Sequence, residues 1–289
     1  MFLYELFALP ESRRKMYLRS KLSSMNKIIK SLLYLAAGMA MTTCSSPQTK
    51  HEKVILAVFA HPDDESSVGP VLAKYAGEGV SVYIAVATDG RLGVTPHAGI
   101  PAGDSLAAVR TGEMKCAAEQ LGIHPPIMIG MHDQLKMHEG LAALSGQLDT
   151  IRKNVIKLFD ELKPDIVFTW GPSGWTGHHD HRLVGSVVTE AFASKVWTKP
   201  MALYYSEIPA GSFPKESPLL LATVDPKYLT IKVSVTDKDY NKAKAAWLCH
   251  KSQYTPETVE QLHQLMRTTE KGVVYFRPFE FTGNNSFFP

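Results

Sequence analysis

Val54-Ile55-Leu56-Ala57-Val58-Phe59-Ala60-His61-Pro62-Asp63-Asp64-Glu65 is the stretch that decides how this chain folds. Its first six residues form an unbroken apolar run, the pattern of a strand buried on both faces. A histidine and a row of carboxylates follow at once, on a proline-containing turn. Such groups are costly at the end of a buried strand unless they have partners. The cluster suits a divalent metal, with one carboxylate left over as a base.

Downstream, the same grammar repeats. Val80–Thr88 reads as a second strand, Pro126–Met131 as a third, Asp165–Trp170 as a fourth and Met201–Ser206 as a fifth. Between them lie helical stretches at Ser67–Gly77, Ser105–Leu121 (closed by Gly122), Leu141–Leu162 (closed by Lys163-Pro164) and His181–Phe192. Strands alternating with helices predict a single α/β domain, a Rossmann-like doubly wound and mostly parallel sheet. The C-terminal third predicts a strand near Thr230–Val235, helices near Asp237–Gln253 and Glu257–Thr269, and a last strand at Val273–Phe281. Ligands of open α/β sheets bind beyond the carboxyl ends of the strands. Polar residues gather at those ends: His61–Glu65, Asp89-Gly90-Arg91, His132-Asp133, and Trp170 through His181.

The second cluster, Gly177-His178-His179-Asp180-His181, follows the fourth strand. A catalytic zinc takes three protein ligands and keeps a position for water. His61 and Asp64, three apart on a turn, can reach one ion. Asp63 then lies beside it as the base, and His181 is the third ligand. Sequence reading thus predicts that two remote clusters meet around one metal.

These motifs resemble the LmbE-like/PIG-L family of zinc-dependent N-acetylglucosamine deacetylases. The resemblance rests on Ala60–Glu65, Thr88-Asp89-Gly90 with Gly93, Arg110-x-x-Glu113 before Ala117-Ala118-x-x-Leu121-Gly122, Asp133, Gly177–His181, and Lys244 through His250-x-Ser252-Gln253. It implies His61, Asp64 and His181 as Zn2+ ligands and Asp63 as general base. It further implies His178 as a cation at the oxyanion, Asp180 as the holder of an imidazole, and Arg110 as a sugar contact. The reaction implied is removal of an acetyl group from an N-acetylglucosamine-type sugar. Two positions depart from the family pattern. His179 replaces a common proline and offers a competing ligand, and Thr176 stands where some relatives carry an oxyanion-binding tyrosine.

Residues 1–53 read differently. Residues 1–24 look like a mis-called start and residues 25–43 like a signal peptide, with a basic start and an apolar run over 32–41. The segment resembles a bacterial lipoprotein signal, with Cys44 as the lipidated residue, residues 44–52 as a tether and 53–289 as the folded domain. A cell-envelope location, with the membrane reached through lipid, follows from that reading. Residues 1–43 hold seven basic and two acidic side chains, leaving 24 basic against 26 acidic beyond them. The net charge of +3 therefore belongs to the leader, and nucleic acid is not an expected partner. Cys116 and Cys249 have no Cys-x-x-Cys partner and read as buried free thiols, with a disulfide the alternative.

Several residues admit plainer roles. Glu65 reads as a cap for the following helix, Asp89 and Asp133 as acceptors for loop amides, and His132 and His138 as surface residues. Arg110 could be an ordinary helix-surface residue, and His250 a packed or capping one. Trp170 and Trp175 fit a sugar-facing wall or the core equally. Two other functions stay open: hydrolysis of a different small N-acyl amide, and a surface lipoprotein that binds glycan or metal without turnover. A dinucleotide-binding protein is disfavoured, since no Gly-x-Gly-x-x-Gly follows the first strand.

Overall fold

The computed structural model describes residues 52–199, 201–213 and 221–280, with residues 10, 11, 15, 16 and 19. The chain falls into two units, Met1–His51 and Glu52–Pro289. In the first, positions 11, 15, 16 and 19 are helical and Lys15 pairs with Glu11 at 2.6 Å. The expected signal segment, Cys44 and tether residues 45–51 lie outside the described residues. No helix among the described residues is long and apolar enough to cross a membrane.

The second unit holds one seven-stranded sheet. Its strands are β1 (Val54–Phe59), β2 (Ser81–Thr88), β3 (Ile127–Met131), β4 (Ile166–Trp170), β5 (Ala202–Ser206), β6 (Ile231–Ser234) and β7 (Val273–Pro278), in the order β3-β2-β1-β4-β5-β7-β6. β1 to β5 run parallel, and β7 lies antiparallel between β5 and β6. The expected doubly wound sheet is present, with an antiparallel edge. Helices α1 (Gly69–Gly77), α2 (Asp104–Leu121), α3 (Leu141–Leu162), α4 (His179–Ala193), α5 (Asp237–Trp247) and α6 (Pro256–Glu270) accompany it. β1 shows why both faces are covered. Ile55, Ala57 and Phe59 enter one core with residues of α1, α2 and α5, while Leu56, Val58 and Ala60 enter another with α3 and α4. None of the six is more than 2% exposed, so an apolar residue is needed at every position.

β1 and β4 are neighbours at the sheet centre, and their chains leave for opposite sides, to β2 and to β5. This is the point where strand order reverses and a crevice opens beyond the carboxyl ends. Both polar clusters sit there because each follows one of these two strands.

Two expectations are corrected. The helix expected over Asp237–Gln253 stops at Trp247, because His250 turns inward to a buried carboxylate and the chain must leave the helix to bring it there. Cys116 and Cys249 are paired in a disulfide with Cα atoms 5.8 Å apart, joining α2 to the segment after α5. Their distance in sequence, 133 residues, hid the pairing. A cross-link over so long a loop stabilises by on the order of 4–5 kcal/mol in the chain-entropy account. Replacing both cysteines by alanine is therefore expected to lower the melting temperature by roughly 10 °C for a domain of this size. An unchanged thermal melt, with and without reductant, would contradict that role.

Candidate functional site

The turn after β1 is organised around Asp64. Its Oδ2 accepts the N–H groups of Ala60 and His61, each at 2.9 Å, and Trp170 Nε1–H at 3.1 Å. Three donors occupy that oxygen. The other, Oδ1, faces His181 Nε2 at 3.2 Å.

His181 comes from the first turn of α4. Its Nδ1 lies 3.0 Å from the Gly174 carbonyl, which assigns the proton to Nδ1 and the lone pair to Nε2. Gly174 has φ 60°, and a Cβ there would come within 2.8 Å of His181 Cβ, so both conformation and space demand glycine. Trp170 stacks on the His181 ring, centroids 4.4 Å apart and planes within 6°. Its indole N–H fixes Asp64 while its face fixes His181. Trp170 is buried, so it packs behind the site rather than lining it for a sugar.

His61 is oriented from the other side. Its Nε2 lies 3.2 Å from Asp133 Oδ1 and 3.2 Å from Asp180 Oδ2, which places the proton on Nε2 and the lone pair on Nδ1. His61 Nδ1 and His181 Nε2 are then 3.1 Å apart. Two lone pairs at that distance repel unless a cation lies between them. The separations of His181 Nε2 from His61 Nδ1 and from Asp64 Oδ1, 3.1 and 3.2 Å, approach the roughly 3.3 Å that ligands bonded at about 2.0–2.1 Å span around a tetrahedral ion. Carboxylates behind a ligating imidazole are the usual outer support of a metal site.

The local field favours positive charge. Burial opposes protonation of His61, yet hydrogen bonds to Asp133, Asp180 and Asp64 hold its pKa well above the ordinary histidine value. His181 is likewise raised against burial, by the charge of Asp64. Asp64 is held well below the usual carboxylate range by His181 and His61, although burial opposes this. A divalent ion there would meet the Asp64 carboxylate that favours these protons. Of the histidine and acid groups that cluster within 4.8 Å, one comprises His61, His178 and His181 and another His178, His179 and Asp180. The His178 and His179 rings are stacked, 4.7 Å and 16° apart. His181, not His179, lies within 3.2 Å of both His61 and Asp64.

Asp63 lies beside this triad in the left-handed region, at φ 112° and ψ −16°. That conformation costs a non-glycine residue on the order of 1–3 kcal/mol and persists only where the surroundings enforce it. Three contacts do so. Asp63 N–H donates to Glu65 Oε2 at 3.1 Å, Arg110 Nη2 lies 3.1 Å from Asp63 Oδ1, and Tyr254 O–H donates to Oδ2 at 3.3 Å. Burial pushes the Asp63 carboxyl up, against the opposing charge of Arg110. A raised pKa brings a carboxylate closer to what a general base needs near neutrality. Asp63 and its burial keep Tyr254 a neutral phenol, hence a donor.

His178 is the N-cap of α4, its Nδ1 accepting Asp180 N–H at 3.2 Å, so Nε2 bears the proton. Burial, followed by charge on His61 and His181, pushes its pKa down to about 4. Both observations weigh against the imidazolium that the family resemblance implies and favour a neutral imidazole donating through Nε2–H. Asp180, fully buried, meets His61 Nε2 through Oδ2. Asp133 does so through Oδ1, beyond its loop-amide role toward Leu92 and Gln134. Asp89 does no more than brace its own loop through Arg91.

Arg110 is buried rather than on the helix surface. It donates to the carbonyls of Gly90 (2.9 Å) and Pro62 and pairs with Asp63, which commits both terminal nitrogens to the protein. A Cβ at Gly90 would fall 2.3 Å from the guanidinium, and Gly90 has φ 63°. Arg110 still lines the open cavity of about 260 Å³ beside His61, Asp63, Asp64, His178 and His181, so any sugar contact falls to its remaining edge. Gln253 and Tyr254 also line it. Tyr254 carried no sequence signal beyond following the Lys244–Gln253 segment. Glu65 is not a helix cap: it is buried against His250, Oε1 to Nε2 2.6 Å. His132 and His138 are exposed, as expected.

Residues 56–192 match the sequence profile of the PIG-L family, described as GlcNAc-PI de-N-acetylase. Among curated proteins, a 1D-myo-inositol 2-acetamido-2-deoxy-alpha-D-glucopyranoside deacetylase of Mycobacteroides abscessus is 28% identical over 232 residues, 70% of this chain and 81% of that protein. A protein of the same name from Mycolicibacterium vanbaalenii is 29% identical over 53% of this chain, which spans only 58% of that relative's length. The fold matches the N,N'-diacetylchitobiose deacetylase of Pyrococcus horikoshii with a TM-score of 0.58 at 23% identity, over 80% of this chain and 84% of that one. A deacetylase of the teicoplanin biosynthesis pathway aligns with a TM-score of 0.59 at 19% identity, over 78% and 97%.

Proposed function

We propose that this chain, whose residues 56–192 form a PIG-L-family domain, is a zinc-dependent hydrolase that removes the acetyl group from an N-acetylglucosamine-type conjugate. The observation that carries the reading is the approach of His181 Nε2 to both His61 Nδ1 and Asp64 Oδ1, beside the strained carboxylate of Asp63. The names of the curated relatives support the substrate class, since they describe a 2-acetamido sugar deacetylase.

His61, Asp64 and His181 would hold the ion. Zinc bound there supplies a Lewis acid for the amide carbonyl and lowers the pKa of water to about 7. Asp63 takes the proton from the attacking water and returns it to the leaving amine, a carboxylate's ordinary double task beside a metal. His178 Nε2–H points a neutral donor to where the amide oxygen gains charge; one such donor is typically worth about 10²–10³ in rate. Asp133 and Asp180 keep His61 Nδ1 free of its proton.

Purified protein supplied with zinc is expected to release acetate from N-acetylglucosaminyl conjugates and to stop when a chelator is added. A panel of other N-acylated amines in the same assay defines the bond. Acetate release indifferent to chelation, or absent from every acetylated sugar, would overturn the reading.

The Cys116–Cys249 disulfide supports an oxidising compartment. We propose in addition that Cys44 carries lipid and that the chain resides in the bacterial cell envelope, a place an oxidising compartment would suit. Maleimide trapping in intact cells should find both thiols unavailable; labelling of both would remove that support.

A further inference from the structure

The segment His250–Tyr254 has no part in holding the ion, yet two of its side chains, His250 and Tyr254, reach the frame around Asp63. His250 and Glu65 form a pair buried from solvent on both sides, 0% and 1% exposed. The far oxygen of Glu65 accepts the Asp63 N–H. Tyr254 reaches Asp63 Oδ2 directly, opposite Arg110 on Oδ1. The general base is thus held at its amide and at both carboxylate oxygens.

The segment itself is fastened to α2, the helix that carries Arg110. Ser252 N–H and Oγ–H donate to Glu113 at 2.7 and 2.6 Å. Cys249 is bonded to Cys116, one turn further along the same helix. Gln253 Nε2 donates to the Gly93 carbonyl at 2.8 Å, and Thr95 Oγ1 to that of Ser252 at 2.6 Å. One helix therefore grips Asp63 twice, directly through Arg110 and indirectly through the stapled segment. A buried histidine–carboxylate pair is an expensive way merely to fill space. Placed under a residue in a left-handed conformation, it accounts for how that conformation is maintained.

We propose that His250 and Tyr254 are positioning residues for the general base. His250 acts through Glu65 on the Asp63 backbone, and Tyr254 acts through its hydroxyl on the Asp63 carboxylate. Both keep that carboxylate aimed at the water to be deprotonated. This rests on the reading of Asp63 as the base.

The test measures kcat, KM and zinc content for Tyr254→Phe and His250→Gln, each alone and in an Asp63→Asn background. Tyr254→Phe removes one oxygen from the wall and is the variant least able to disturb folding. Each single change is expected to lower kcat about 10-fold or more, the worth of a hydrogen bond to a charged group, with KM within about two-fold and zinc stoichiometry intact. In the Asp63→Asn chain the same changes should leave the residual rate where it is, since the group they serve is gone. Unchanged kcat in Tyr254→Phe, or losses that multiply with Asp63→Asn, overturns the inference. So does a fall in zinc content or a rise in KM that accounts for the loss. Full activity in Asp63→Asn alone is a different result, and removes the base assignment itself.

Discussion

Asp63→Asn is expected to lower kcat by roughly 10²–10⁴-fold, the range that a positioned proton-transfer group contributes, while zinc content stays at that of the wild-type chain. The two outcomes separate because Asp63 is not among the converging atoms: those belong to His61, Asp64 and His181. Asparagine keeps the shape and can still accept from Tyr254, but it cannot take a proton. It also leaves Arg110 buried beside a neutral amide, so a modest loss of stability accompanies the loss of rate. Kinetics alongside elemental analysis of the same preparation decide the matter. Retained turnover removes the base assignment, and lost zinc makes Asp63 a ligand.

His181→Ala is expected to strip the site of metal, with acetate release falling to the chelated baseline. It removes one of three converging atoms and opens space beneath the stacked Trp170. Asp133→Asn gives the contrast. It leaves all three atoms in place and weakens the hydrogen bonding behind His61, together with the loop amides that Asp133 also accepts, so zinc affinity should fall by about 10–100-fold rather than vanish. Metal titration of the two proteins reads the difference. Undiminished zinc in His181→Ala would mean the ligand set is wrong, and His179 is then the first residue to test in its place.

The parts of this site that could be read in advance are those whose signal is local. An apolar run followed by His-x-x-Asp declares a buried strand ending in ligands, because side chains three apart on a turn share a direction. Asp133 and Tyr254 were not legible in the same way. Asp133 follows β3 and Tyr254 follows α5, and neither has a spacing that ties it to His61 or Asp63. Arg110 was placed near the site, but its commitment to Asp63 and two carbonyls depends on the path of α2 across the crevice. His178 shows the limit most clearly. Its residue type fits an imidazolium, whereas burial and charge on the neighbouring His61 and His181 push its pKa down.

By itself, the sequence determined the alternating strands and helices, the crevice rim where polar residues collect, and the two clusters that end β1 and β4. Those are consequences of periodicity and of short-range geometry, which a linear chain carries in full. Only the tertiary structure decided which lone pairs face each other, which thiols pair across 133 residues, and which remote side chains hold Asp63 in its left-handed conformation. Tautomer, charge state and aim are set by neighbours brought close by packing, and no spacing along the chain encodes them.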